Sequence, residues 1–109
     1  MADLLGAFEQ AVLLAIVRAG EEAYGRSVLR GVEDGLGREV AAGAVYATLD
    51  RLEAQGLIGS RLSEGTAERA GRARRYYRLT ASGVAALNDS KTALQRLWRG
   101  AKWPLGVKT

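Results

Sequence analysis

A change of hydrophobic period at Gly56 divides the chain. Before it, apolar residues recur every three or four positions, the signature of amphipathic helices; after it, they alternate, the signature of half-buried strands. Residues 4–19 predict a helix. Leu5, Phe8, Val12 and Ile16 form one stripe, Leu4, Ala11 and Ala15 a second, and Leu13, Leu14 and Val17 leave it apolar nearly all round. Such a helix needs two partners, its own core and another chain. Gly20 fits its C-terminal stop. Residues 24–34 predict a second helix with Val28, Leu29 and Val32 inward. Gly35, Leu36 and Gly37 break it, and residues 38–40 read as a very short strand. Residues 42–55 predict a third helix with Val45, Leu49 and Leu52 buried and Tyr46 at the edge of the stripe. Gly56 suits a left-handed cap, with Leu57 packing back.

Residues 57–62 and 75–79 then read as strands. The stretch 63–74 between them is rich in Gly, Ala, Glu and Arg and reads as a long, mobile hairpin tip. Thr80 offers an N-cap hydroxyl to a final helix at 81–99, with Val84, Leu87, Leu94, Leu97 and Trp98 apolar. Residues 100–109 read as a loose tail. The expected class is mainly α with a small β-hairpin. Residues 1–79 and the final helix at 80–99 form one compact unit, in keeping with 109 residues. A domain this small buries a limited core, and association helps it.

Charge is unevenly placed. Residues 1–60 carry five arginines against nine acids, a net of −4, whereas residues 61–78 carry six arginines and two glutamates, a net of +4. Residues 79–109 add five basic residues and one aspartate, again +4. A basic excess confined to one segment favours a polyanionic partner; a solubilising surface is the plainer alternative.

Several function classes are excluded. With no cysteine and no histidine, there is no disulfide, no Cys/His zinc site and no histidine-activated nucleophile. The acids are scattered over helix surfaces, without a catalytic or metal-binding cluster. Gly35-Leu36-Gly37 lacks a third glycine and follows a helix, so it is no dinucleotide loop. An enzyme, a cofactor and a metal are therefore not expected. The apolar run 11–17 is too short to span a bilayer, and Asp3 and Glu9 stand where a signal peptide wants positive charge. The expectation is a cytoplasmic chain with no membrane partner.

Three helices followed by a two-stranded basic hairpin make a winged helix-turn-helix. A helix fits the major groove of B-form DNA, and a loop carrying arginines follows phosphates or enters the minor groove. At residues 45–58 and 75–83 a resemblance becomes specific. Val45-Tyr46-Ala47-Thr48-Leu49-Asp50-Arg51-Leu52, continuing through Gly56-Leu57-Ile58, resembles the recognition helix and first wing strand of PadR-family transcriptional regulators. Arg75-Tyr76-Tyr77-Arg78-Leu79-Thr80-Ala81-Ser82-Gly83 resembles that family's second wing strand and the start of its last helix, and Ala23-Tyr24-Gly25 its Tyr-Gly at helix two. The likeness covers roughly residues 5–98. It implies a homodimer built by the last helix with the first, in the subfamily with a single helix after the wing. It also implies repression relieved by a ligand, in some members a phenolic acid and in others a hydrophobic drug held between subunits. The chain departs from the family at Ala41-Ala42-Gly43-Ala44, where a Ser or Thr usually stands.

These readings give a set of candidate residues. Gly43, Ala44 and Ala47 allow close approach of the third helix to DNA, with Ala47 against a thymine methyl; simple helix propensity is the alternative. Tyr46 touches a phosphate or fills the core edge with its hydroxyl in water. Arg51 contacts the backbone or pairs with Asp50 or Glu53. Arg69, Arg72, Arg74 and Arg75 are the electrostatic candidates. For the family's dimer interface or ligand pocket the candidates are Leu5, Phe8, Val12, Leu87, Leu94 and Trp98. Trp98 is either an interface anchor or, with its mate, a slot for an aromatic effector; Trp103 is the second tryptophan. The expected partners are double-stranded DNA, a second copy and a small hydrophobic or aromatic effector. The rival is a winged-helix protein-interaction module without DNA binding.

Overall fold

Val12, Leu13, Ala15 and Ile16 are all buried, and the helix that carries them, α1 (Ala7–Ala19), packs against every other helix and one strand. The computed structural model describes residues 4–101. After α1 come a 3-10 turn at Gly20–Glu22, α2 (Gly25–Leu36), α3 (Ala42–Ala54), β1 (Ile58–Ser63), β2 (Arg74–Leu79) and α4 (Ala81–Gly100). The core is completed by Ala23, Val28, Val32, Val45, Leu49, Leu52 and Ile58. Leu14 and Val17, 47 % and 55 % exposed, leave α1 with the second apolar face that its sequence implies.

The differences from the sequence reading have local causes. The first helix begins at Ala7, not at residue 4, because Leu5 N–H is drawn to Ser90 Oγ (3.0 Å) and Gly6 N–H to Glu9 Oε1 (2.9 Å). The second helix is not broken at Gly35. It runs through Leu36 and ends at Gly37, left-handed at φ 69°, whose N–H bonds Glu33 O at 2.8 Å. No strand forms at residues 38–40, where Val40 N–H bonds the Glu33 carboxylate at 3.2 Å. The place beside β2 is taken from further up the chain. Tyr77 N–H donates to Ala23 O at 2.8 Å, and Tyr24 bridges Tyr76 in antiparallel fashion.

The two strands are antiparallel, with Ile58 opposite Leu79 and Ser63 opposite Arg74. Their tip carries a 3-10 turn at Ala67–Arg69, followed by Ala70 and Gly71 with positive φ. The third helix ends as its sequence implies: Leu57 N–H reaches back to Leu52 O (3.0 Å) across Gly56 at φ 76°. Thr80 caps α4. Its Oγ1 accepts from Gly83 N–H (3.1 Å) and donates to Gly56 O (2.7 Å), while its own N–H bonds Leu57 O (3.0 Å). A Cβ on Gly83 would strike that same Leu57 carbonyl, so glycine is required for α4 to sit this close to the strand. Gly83, Ala86 and Ser90 are buried. Beyond Ser90 the helix leaves the body, and Leu94, Leu97 and Trp98 are 42 %, 67 % and 57 % exposed. Gly100, expected to begin the tail, still belongs to α4, and residues 102–109 of that tail lie outside the described residues. Trp103 lies outside the described residues. Among those described, no helix is long and apolar enough to cross a membrane.

Candidate nucleic-acid interface

The outward face of α3 is made of small residues. Val45, Thr48, Leu49 and Leu52 point into the core, which turns Gly43, Ala44, Ala47 and Asp50 to the exterior. Ala41 holds the N-cap without a side-chain hydrogen bond, as the missing Ser/Thr implies. Tyr46 is 45 % exposed, and its ring lies against the first residue of α2: a Cβ on Gly25 would overlap it. This contact gives the Tyr-Gly pair at 24–25 a physical reason. Glycine lets α3 bring an aromatic side chain onto the start of α2.

The wing arginines are held by the wing itself. At the tip, Arg69 donates to Glu64 O and to Arg72 O (3.3 Å), and Arg72 Nε donates to Arg69 O (3.1 Å). These bonds close the tip into a turn. Arg75 Nη1 donates to Ser60 Oγ (2.9 Å), which itself donates to Glu53 Oε2 (2.6 Å), so the wing base is tied to the last turn of α3. Arg74 lies over the Tyr24 ring at 3.8 Å and Arg61 over the Tyr76 ring at 4.7 Å.

Wing and helices meet in a cleft of about 490 Å³. Tyr46 of α3, Gly25 and Arg26 of α2, and Arg69, Arg72, Arg74 and Arg75 of the wing line it. Tyr24, Tyr77 and Glu68 complete the wall. Burial pushes the Tyr77 phenol up from its ordinary value, against the opposing pull of Arg75. Glu68 is held below the usual carboxylate range, chiefly by its own backbone N–H. Tyr24, Arg26, Glu68 and Tyr77 were absent from the sequence-derived set. The available signal was Arg26 following Tyr24-Gly25 directly.

Arg51 stands apart from the cleft. Its guanidinium pairs with Glu9 of α1 at 3.5 Å, not with Asp50 or Glu53. The exposed pair contributes little by itself, but it turns Arg51 towards α1. The expected interface residues also divide. Leu5, Phe8 and Leu87 are partly buried against the core, whereas Leu94 and Trp98 are exposed on α4. Val12 is wholly buried inside its own subunit and has no surface to offer a second chain, which corrects the expectation for that residue. The stripe it belongs to faces inward, towards α1's own core.

Helix, helix, helix and basic hairpin, with an additional helix after the hairpin, define a winged helix-turn-helix protein. The model of the PadR-like transcriptional regulator family matches residues 13–89, and the chain belongs to that family. Transcriptional regulator Rv3488 of Mycobacterium tuberculosis is 47 % identical over 62 residues, 55 % of this chain and 52 % of that protein. The chain thus spans about half the length of that relative. A PadR family regulator from Eggerthella lenta shares 30 % identity at a TM-score of 0.65, covering 82 % of this chain and 75 % of that one. A PadR family structure from Clostridium difficile, 24 % identical, gives a TM-score of 0.69 over 86 % of this chain and 93 % of that one, and supports the fold alone.

Proposed function

We propose that the chain is a homodimeric, sequence-specific DNA-binding repressor that responds to a ligand. The observation that carries this reading is the shared cleft, which joins Tyr46 of α3 to the start of α2 and to four wing arginines. In this reading α3 enters the major groove. Gly43, Ala44 and Ala47 permit close approach to base edges, and Arg51 reaches the DNA backbone by leaving Glu9. Arg69, Arg72 and Arg75 neutralise phosphates, with Tyr46 hydrogen-bonded to the same backbone. Membership of a transcriptional-regulator family supports the assignment.

The dimer reading is supported by two exposed apolar faces, Leu14 and Val17 on α1 and Leu94 and Leu97 on α4, with Trp98 beside them. A two-fold axis through them places the half-sites about one helical turn apart. A hydrophobic or aromatic effector bound near Trp98 releases DNA only by preferring a dimer with a different half-site spacing; equal affinity for both states shifts nothing.

Selection of binding sites from a random duplex pool tests the whole reading. The expected product is an enriched pseudo-palindrome with half-site centres about 10 base pairs apart. Failure to enrich any sequence would leave the protein-interaction module as the better account. The uncapped start of α3 is the feature that favours that rival.

A further inference from the structure

Four side chains form a continuous stack across the junction between wing and helices. Arg61 lies over Tyr76, Tyr76 meets Tyr24 edge to face (centroids 5.8 Å apart, planes at 71°), and Arg74 lies over Tyr24. Both arginines belong to the wing, Tyr76 lies on β2, and Tyr24 immediately precedes α2. Beside the stack, Tyr24 bridges Tyr76 and Tyr77 N–H reaches Ala23 O. The wing base is tied to α3 through Arg75, Ser60 and Glu53, and the stack supplies a second brace on the side of α2.

We infer that Arg74 is a wing-positioning residue, which holds the wing at a fixed angle to α2 through Tyr24, with Arg61 bracing Tyr76 from the opposite strand of the wing, and that phosphate contact falls to Arg69, Arg72 and Arg75. The division rests on the DNA-binding reading above. It separates two kinds of arginine that charge alone makes equivalent. Arg69, Arg72 and Arg75 spend only one or two guanidinium N–H groups each on wing oxygens, which leaves the others for phosphate, whereas the guanidinium carbons of Arg61 and Arg74 lie over rings of the chain itself. Tyr24 and Tyr76 act as the rigid part of the device, since a ring has two side-chain torsions and loses little freedom when stacked.

The test combines NMR on the free protein with a double-mutant cycle on a selected duplex. In the free wild type, ring currents from Tyr24 shift the Arg74 side-chain protons upfield. Tyr24→Leu abolishes that shift and changes the residual dipolar couplings of wing amides relative to α2; Tyr24→Phe preserves both. On DNA, Tyr24→Leu and Arg74→Met each weaken binding roughly threefold to tenfold, and the double variant is no weaker than the worse single one. Arg72→Ala combined with Tyr24→Phe instead shows the full Arg72→Ala loss, with a salt slope smaller by about 1.8, about 0.9 for each subunit of the dimer. Additive losses for Tyr24→Leu and Arg74→Met would overturn the assignment, as would unchanged wing couplings in Tyr24→Leu. If the wild type binds no duplex, the DNA reading fails, while the couplings of the free protein still decide whether the stack sets the wing angle.

Discussion

At the scale of single residues, two glycines show how a missing Cβ positions the site. At Gly83 the obstacle is the Leu57 carbonyl, a backbone atom that cannot give way. Gly83→Ala is expected to cost about 1–3 kcal/mol, read as a lower urea midpoint. At Gly25 the obstacle is the half-exposed Tyr46 ring, which can swing aside. Gly25→Ala therefore costs less stability and displaces Tyr46 from the cleft. Tyr77 adds a pH dependence. Its folded value lies above the unfolded 10.0, so its contribution to stability is complete below that pH and is lost as pH rises through the folded value. Urea midpoints above about pH 10 should fall more steeply for the wild type than for Tyr77→Phe. Equal alkaline slopes would remove Tyr77 from this account.

At the scale of elements, Thr80 joins three pieces. It caps α4, bonds the glycine that ends α3 and, through its N–H, bonds the first wing strand's approach at Leu57. Thr80→Ala should cost about 1–2 kcal/mol, and Thr80→Ser should recover most of it. Thermal unfolding monitored by circular dichroism checks both. Elements of this kind were legible in the sequence because their signals are local. The Thr80 hydroxyl, the Gly56-Leu57 cap and the stripe at Val45, Leu49 and Leu52 all act within a few residues, and all appear as expected. The strand at 38–40 was misread for the same reason. Its sequence permits extension, but β2's free edge is met by Ala23 and Tyr24, a pairing across about half the chain. The candidate site was legible in part. The wing arginines announce themselves by charge. Their hydrogen bonds to tip carbonyls, and Arg51 reaching Glu9 instead of its neighbours, depend on distances that spacing does not encode.

At the scale of the whole molecule, the protruding half of α4 sets the argument. The molecule measures 57 Å along its longest axis but 31 and 21 Å across, and Leu94, Leu97 and Trp98 lie exposed on the helix that leaves the body. Exposed apolar surface of this kind marks an association site. Leu97→Glu should shift sedimentation from dimer to monomer while leaving the monomer fold intact, because Leu97 makes no part of the core. The same substitution should weaken duplex binding by at least tenfold, since two half-sites are then no longer held together.

The most direct measurement is fluorescence anisotropy on the DNA upstream of the protein's own gene, against a scrambled duplex, over a series of salt concentrations. The account predicts tight binding that favours the native duplex, with log K falling linearly with log salt and a slope of magnitude about 3–6 from wing phosphate contacts on two subunits. Absence of binding to either duplex at low salt would contradict it.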